Sequence, residues 1–196
     1  SCVVLDNGVT RVGIMAIDVC KTDVSQVAKV REVAEKLGIP PQQMMINSSH
    51  THCGPRVMGN KNAEYVAVFE ERICGLLQAA VDDLAEAKLD YTVGSCTMAV
   101  NRRRFNDEGK YVGMKPEPRK RMDPDVPVLR VLTPEGKVRA VIFGYACHPT
   151  TMGGHEIGPD FVGYARDWVE AAYPDALAVY LQGCAGDIKP RYTMAN

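Results

Sequence analysis

Met44-Met45-Ile46-Asn47-Ser48-Ser49-His50-Thr51-His52-Cys53-Gly54-Pro55 is the stretch around which the chain is organised. A short apolar run gives way to polar residues, and Gly54-Pro55 then forces a turn. The run reads as a buried strand over 43–48. Two histidines follow it, one residue apart. On an extended backbone residues i and i+2 project to the same side, so both imidazoles are expected to face one spot. The chain has four histidines, and half of them sit here. A hydrogen-bonded polar strand end is the plainer reading. A second histidine in an equivalent setting favours a site.

That second setting is Val141-Ile142-Phe143-Gly144-Tyr145-Ala146-Cys147-His148-Pro149-Thr150-Thr151-Met152. An apolar strand again runs into a histidine, and proline stops it. A third strand, Ala178-Val179-Tyr180-Leu181, runs into Gln182-Gly183-Cys184-Ala185-Gly186-Asp187-Ile188-Lys189-Pro190. Where helices flank a sheet, sites are built at strand ends and in the loops beyond them. Three such ends predict one convergent site.

The remaining segments supply an α/β frame. Asp6-Asn7-Gly8 marks a hairpin between strands at 3–5 and 12–17. Thr22 or Asp23 caps a helix with an apolar face of Val24, Val27, Val30, Ala34 and Leu37, ended by Gly38. A long helix is expected over 62–87, with Tyr65, Phe69, Ile73, Leu76, Leu77, Ala80 and Leu84 as its buried stripe. A strand over 91–100 follows. Residues 101–126 read as a long basic loop, either a solvated excursion or a functional one. A hairpin over 128–143 comes next. Asp160 then caps a helix to 173 with Phe161, Tyr164, Ala165, Trp168, Val169 and Ala172 inward. The fold class is therefore α/β, with mixed β-sheets packed against flanking helices and a site at converging strand ends. Residues 1–196 form a single α/β domain, expected to be a fragment of a longer catalytic domain truncated at both ends.

Composition excludes several classes of function. A chain of 196 residues can enclose one sizeable core. Its 46% hydrophobic and 24% charged content are those of an ordinary globular domain. A net charge of −1 argues against nucleic-acid binding. No apolar run approaches the roughly 20 residues of a membrane helix. No signal peptide is visible at Ser1, and the compartment stays open, a secreted or periplasmic parent included. The seven cysteines are scattered without a C-x-x-C pair, against a structural zinc ribbon and in favour of reduced thiols. Cys53, Cys147 and Cys184 lie inside the motifs, as packing residues or as soft metal ligands. Asn47-Ser48-Ser49 matches a glycosylation acceptor, but a buried strand end is a poor place for a glycan.

The motifs carry a family resemblance. His50-Thr51-His52-Cys53-Gly54-Pro55 resembles the HTHSGP motif of the neutral, non-lysosomal ceramidases. His148-Pro149-Thr150-Thr151-Met152 is similar to their H-x-T-S-M segment, Gly186-Asp187-Ile188-Lys189-Pro190 to G-D-x-S-P, and Asn101-Arg102-Arg103 to N-R-S. Order and rough spacing agree from Val3 to Pro190. The resemblance implies paired sheets between helix layers and a zinc-dependent amide hydrolase, in which metal-activated water attacks the carbonyl of a small or lipid-like N-acyl amide.

Histidine is the natural ligand near neutral pH. From spacing alone His50 and His52 cannot be ranked. The resemblance makes His50 and His148 the ligands of one zinc ion and His52 a contact to the reacting carbonyl. It also places an active-site arginine in the basic loop, where Arg102 fits best. Ligating histidines hand their other ring proton to a carboxylate or carbonyl, a role open to Asp187 and to Asp18, the latter equally well a helix cap. His155 and Glu156 match no motif and are expected to be exposed. The family's glutamate and tyrosine ligands lie beyond residue 196, so weak zinc binding and no hydrolysis are expected of these residues alone. Lys189 replaces the serine of G-D-x-S-P; if it faces the metal, it would favour an anionic group on the substrate. A non-catalytic homologue whose drifted site binds an anion through Lys189, Arg102 and the glycine turn is the alternative. Substrate and oligomeric state are not legible.

Overall fold

Two sheets lie face to face in the computed structural model, which describes residues 1–59, 62–153 and 155–192. The first contains β1 (Cys2–Asp6), β2 (Arg11–Ile17) and β3 (Met44–Ser48), in the order β1-β2-β3. β1 and β2 form the expected hairpin, its turn held by Asn7 Oδ1, which accepts from the Val9 and Thr10 amides. β2 and β3 are parallel, which requires a crossover. That crossover is α1 (Val24–Lys36), opened by Asp23 in a reciprocal capping box with Gln26. Gln26, Val30 and Ala34 are its buried residues, whereas Val24, expected inward, is 83% exposed. The helix α2 (Ala63–Asp82) is shorter at its C-terminus than its apolar pattern predicts and buries Ile73 and Leu77. Tyr65 and Leu76 of the predicted stripe are exposed.

The predicted strand over 91–100 is two strands in different sheets. β4 (Lys88–Ser95) is followed by β5 (Ala99–Asn101). The basic loop contains a small hairpin, β6 (Arg103–Phe105) with β7 (Tyr111–Met114). β8 (Asp125–Leu132) and β9 (Val138–Tyr145) form the next antiparallel pair. α3 (Phe161–Ala172) leads to β10 (Leu177–Gln182) and β11 (Ile188–Pro190). The second sheet has the order β10-β9-β8-β4, with β10 parallel to β9, while β11 pairs with β5.

The side-chain period of two decides the layers. Leu129, Ile142 and Val179 stand in register on one face of the second sheet. They pack against Val3, Ile14 and Ala16 of the first. The first sheet's other face carries Cys2, Val4, Met15 and Met44 against Val30, Ala34, Ile73 and Leu77 of the helices. The second sheet's other face packs Tyr145 and Tyr180 against Phe161 and Val162 of α3. Helix layer, sheet, sheet, helix is thus the paired-sheet arrangement expected. In α3 the inward residues are fewer than predicted: Trp168 is 80% and Tyr164 61% exposed.

Candidate metal centre at converging strand ends

β3 ends at Ser48, but its pairing with β2 continues. The Ser49 amide donates to Ile17 O at 2.9 Å and the His50 amide to Val19 O at 3.1 Å. This extension sets His50 beside Cys20. His50 then adopts a left-handed conformation, φ 65°, which costs a non-glycine residue roughly 1–2 kcal/mol. The two histidines of the motif therefore do not converge by strand alternation, as the sequence suggests. They converge because the chain reverses between them. Thr51, fully buried, fixes the reversal: its hydroxyl donates to Gly158 O at 3.0 Å and accepts from the Cys53 amide at 3.2 Å. Gly54 is favoured next, since a Cβ there would stand 3.0 Å from Asp18 O, tighter than an ordinary contact.

His148 arrives from β9. Asp160, with no exposed surface, shapes the loop that follows. Its carboxylate accepts from the Thr151 amide at 3.1 Å, the Thr151 hydroxyl at 2.5 Å, the Met152 amide at 2.8 Å and the first amide of α3 at 2.8 Å. The loop after β10 approaches as closely as glycine permits: a Cβ on Gly183 would meet the Ala146 backbone at 3.2 Å. Asn47 joins the two sheets directly. Its side-chain amide accepts from Gln182 N at 2.8 Å and donates to Gln182 O at 3.2 Å, as a strand backbone would. That donor is occupied, which disfavours glycosylation at Asn47.

Three imidazoles meet at this junction. Ring centroids of His50 and His148 are 4.6 Å apart, and His52 lies 5.1 Å from each. His50 Nδ1 donates to Cys20 O at 2.6 Å and His148 Nδ1 to Ala185 O at 3.1 Å. A carbonyl oxygen only accepts, so each Nδ1 carries the proton and each Nε2 of the neutral ring keeps its lone pair. His52 Nε2 lies 3.2 Å from His148 Nε2. Burial, reinforced by the neighbouring His50 and Arg102, pushes His52 below the ordinary histidine pKa of 6.5. Burial likewise lowers His148, against the opposing pull of its Ala185 hydrogen bond. Both rings are held neutral near pH 7, the form that binds a metal.

The other predicted residues are distributed around this cluster. Arg102 is half-buried, with Nη2 donating to Gly186 O at 3.0 Å and its charge acting on His52 and His148. Asp187 is exposed and accepts from Asn101 Nδ2 at 2.8 Å; the carbonyls of Cys20 and Ala185 take the ring-orienting role expected of it. Asp18 is neither cap nor orienting group but pairs with Arg166 of α3 at 2.5 Å. His155 and Glu156 are exposed, as expected. Lys189 lies on β11 between buried Ile188 and Pro190, and its side chain leaves on the side away from them. Cys147 is fully buried, its thiol pushed by burial up to about 12, an inert packing group.

A cleft of about 270 Å³ opens here, lined by Cys20, Asn47, His50, His148, Gln182 and Gly186 among others; Lys189 is not one of them. A larger groove of about 780 Å³ lies at the other end of the sheets, by Ala140 and Leu177, and has no histidine in its lining. Cys20 is the residue that sequence reading missed. Its Sγ and one ring nitrogen each from His50 and His52 lie within 4.8 Å of one another. Its closeness to His50 follows from the parallel pairing of β2 with β3, which puts the residues after Ile17 next to those after Ser48.

No protein-family profile matches the chain, and no curated protein matches it in sequence. Among solved structures it is similar to a ceramidase complexed with C2, with a TM-score of 0.77 and 20% identity over 95% of this chain and 32% of that one. It is similar also to neutral ceramidase from Pseudomonas aeruginosa, with a TM-score of 0.75 and 20% identity over 92% of this chain and 31% of that one. The chain has the ceramidase fold. It spans about a third of the length of these ceramidases, and at this identity the likeness is one of architecture.

Proposed function

We propose that these residues supply the metal-binding part of a zinc-dependent amide hydrolase of the neutral-ceramidase type. The observation that carries the reading is the matched pair of backbone carbonyls behind His50 and His148, which put the ring protons on Nδ1 and turn both Nε2 lone pairs into the junction, that of His148 toward His52 Nε2 at 3.2 Å. This is the orientation device typical of metal-ligating histidines. It favours His50 and His148 as the ligands over His52, for which no such carbonyl partner is recorded among the described residues. The donor set, neutral imidazoles without a carboxylate in the cleft lining, suits zinc. When bound, zinc supplies Lewis acidity and a water of lowered pKa.

The protein's own contributions follow from position. His52 Nε2, within hydrogen-bond reach of His148, can turn its donor toward a substrate carbonyl when His148 Nε2 is engaged. Arg102, held by Gly186 O, places a fixed positive charge near the same point, suited to developing negative charge on oxygen. Asp187 acts indirectly: its backbone oxygen accepts from the Arg102 amide at 2.7 Å, fixing where that side chain starts. Polypeptide outside residues 1–196 completes the metal's coordination and the substrate groove. A lipid-like N-acyl amide is the substrate class suggested by the ceramidase neighbours.

The test is hydrolysis of a short-chain N-acyl amide by the protein with its native flanking polypeptide, before and after chelation. Chelator-sensitive turnover that returns with zinc, and is lost in His148→Ala, is expected. Turnover indifferent to chelation would contradict the zinc reading, and absence of turnover in zinc-loaded protein that still binds an anionic ligand through Arg102 would favour the non-catalytic reading instead.

A further inference from the structure

We propose that Arg102 and Arg103 form a receptor for an oxyanion at the rim of the cleft, so that the amide hydrolysed here carries a carboxylate or a phosphate ester close to the scissile bond. The inference rests on the reading of the junction as an amide-hydrolase site and names its substrate class. Arg103 stands where the similar N-R-S motif of the ceramidases has serine. The chain thus brings two guanidinium groups to a place where that motif has one. Convergence is the first observation. Arg102 Nη2 at 3.0 Å, Arg102 Nε at 3.3 Å and Arg103 Nη2 at 3.3 Å all donate to Gly186 O. Gly186 lines the cleft, so both side chains reach its rim without lining it themselves. A carbonyl oxygen offers two lone pairs, and three N–H groups share this one. The two forks have more donors than Gly186 O can satisfy, and no other side-chain acceptor for them is recorded among the described residues. Both start from fixed backbone. The Arg102 amide donates to Asp187 O at 2.7 Å, and the Arg103 amide to Oδ1 of buried Asn101 at 2.9 Å.

Charge is the second observation. The ion pairs among the described residues include neither Arg102 nor Arg103. Asp187, whose charge reaches Arg102, already accepts from Asn101 Nδ2 at 2.8 Å. Burial, and after it the like charge of Arg103, lowers the Arg102 pKa. An oxyanion between the two supplies both the missing acceptors and the opposite charge, and the planar guanidinium matches carboxylate and phosphate geometry. Position is the third. The charge of Arg102 reaches His52 and His148, and that of Arg103 reaches Arg102. The order histidines, Arg102, Arg103 suits an amide whose anionic group lies a few bonds from its carbonyl. Arg104, next in the chain and also exposed, alternates to the other face of β6 and serves as the control.

The experiment compares three amides with the same short acyl chain: N-acylglycine, N-acylethanolamine phosphate and neutral N-acylethanolamine. Dissociation constants and kcat/KM are measured on the zinc-loaded protein with its native flanking polypeptide. At least one anionic amide should be preferred over the neutral one by about tenfold or more, and Arg103→Ser should narrow that preference to within about threefold. Arg104→Ser, which removes the same charge elsewhere, should leave it intact. The better of the two anions names the group recognised. Equal handling of all three amides overturns the receptor, as does a preference that survives in Arg103→Ser or disappears in Arg104→Ser. Selective binding of an anionic amide without hydrolysis overturns the hydrolase reading and leaves the receptor standing. Hydrolysis confined to the neutral amide does the reverse. If Arg103→Ser does not fold, phenylglyoxal labelling of the unsubstituted protein decides. A saturating anionic amide should shield Arg103 but not Arg104, and equal labelling of the two contradicts the proposal.

Discussion

His50 places its ring in the site from a left-handed backbone, φ 65°. Glycine adopts that conformation without the Cβ clash. His50→Gly and His50→Ala both remove the imidazole, so their difference isolates the strain. The glycine variant should be the more stable by about 1 kcal/mol in urea denaturation; an alanine variant of equal or greater stability would show that the backbone relaxes. The sequence made the pairing of these histidines legible but misassigned its cause, because a positive φ at a histidine leaves no pattern in composition or spacing. A second expectation concerns pH. His52 and His148 have depressed pKa values in the folded state, chiefly through burial. As pH falls through the ordinary value of 6.5, the unfolded chain takes up protons that the folded chain resists. Stability is therefore intact above that value and lost below it, until the folded-state pKa values are passed. The urea midpoint of the metal-free protein should fall between roughly pH 7.5 and pH 5.5, and His52→Gln with His148→Gln should flatten that fall. A midpoint that rises on acidification contradicts it.

At the scale of elements, the strand ends converge because two sheets are joined at β3 and β10. The Asn47 amide makes that join with one accepted and one donated hydrogen bond. Asn47→Ala leaves both backbone groups of Gln182 without this partner and should cost about 1–3 kcal/mol. It should also lower affinity at the metal centre, since it loosens β3 against β10. A loss of stability with metal affinity unchanged would separate the join from the site. The apolar runs behind β3, β9 and β10 were readable because buried strands must be apolar. The split of 91–100 into β4 and β5 was not, because both halves keep apolar residues while belonging to different sheets. Trp168 and Val24 fit the helical period yet lie exposed on α3 and α1. Period alone shows which side of a helix is apolar, not how far the packing layer reaches across it.

For the whole molecule, the layered α/β fold with a site at converging strand ends was legible from three apolar strands ending in histidine or glycine-marked loops. Cys20 was not, because its closeness to His50 depends on strand order in the first sheet. The orienting groups behind the histidines were not either, because backbone carbonyls carry no sequence signature. The departure at Lys189 also reads differently in three dimensions. It is not among the residues lining the cleft, so Lys189→Ser should leave metal affinity unchanged. The proposed function depends on His50 and His148 binding the same metal ion. The direct measurement is the zinc dissociation constant, by competition with a chromophoric chelator, for the unsubstituted chain, His50→Ala, His148→Ala and the control His155→Ala. Each of the first two substitutions should weaken binding by at least about tenfold, or 1.4 kcal/mol, with the control unchanged. Affinities of His50→Ala and His148→Ala that match the unsubstituted chain would contradict it.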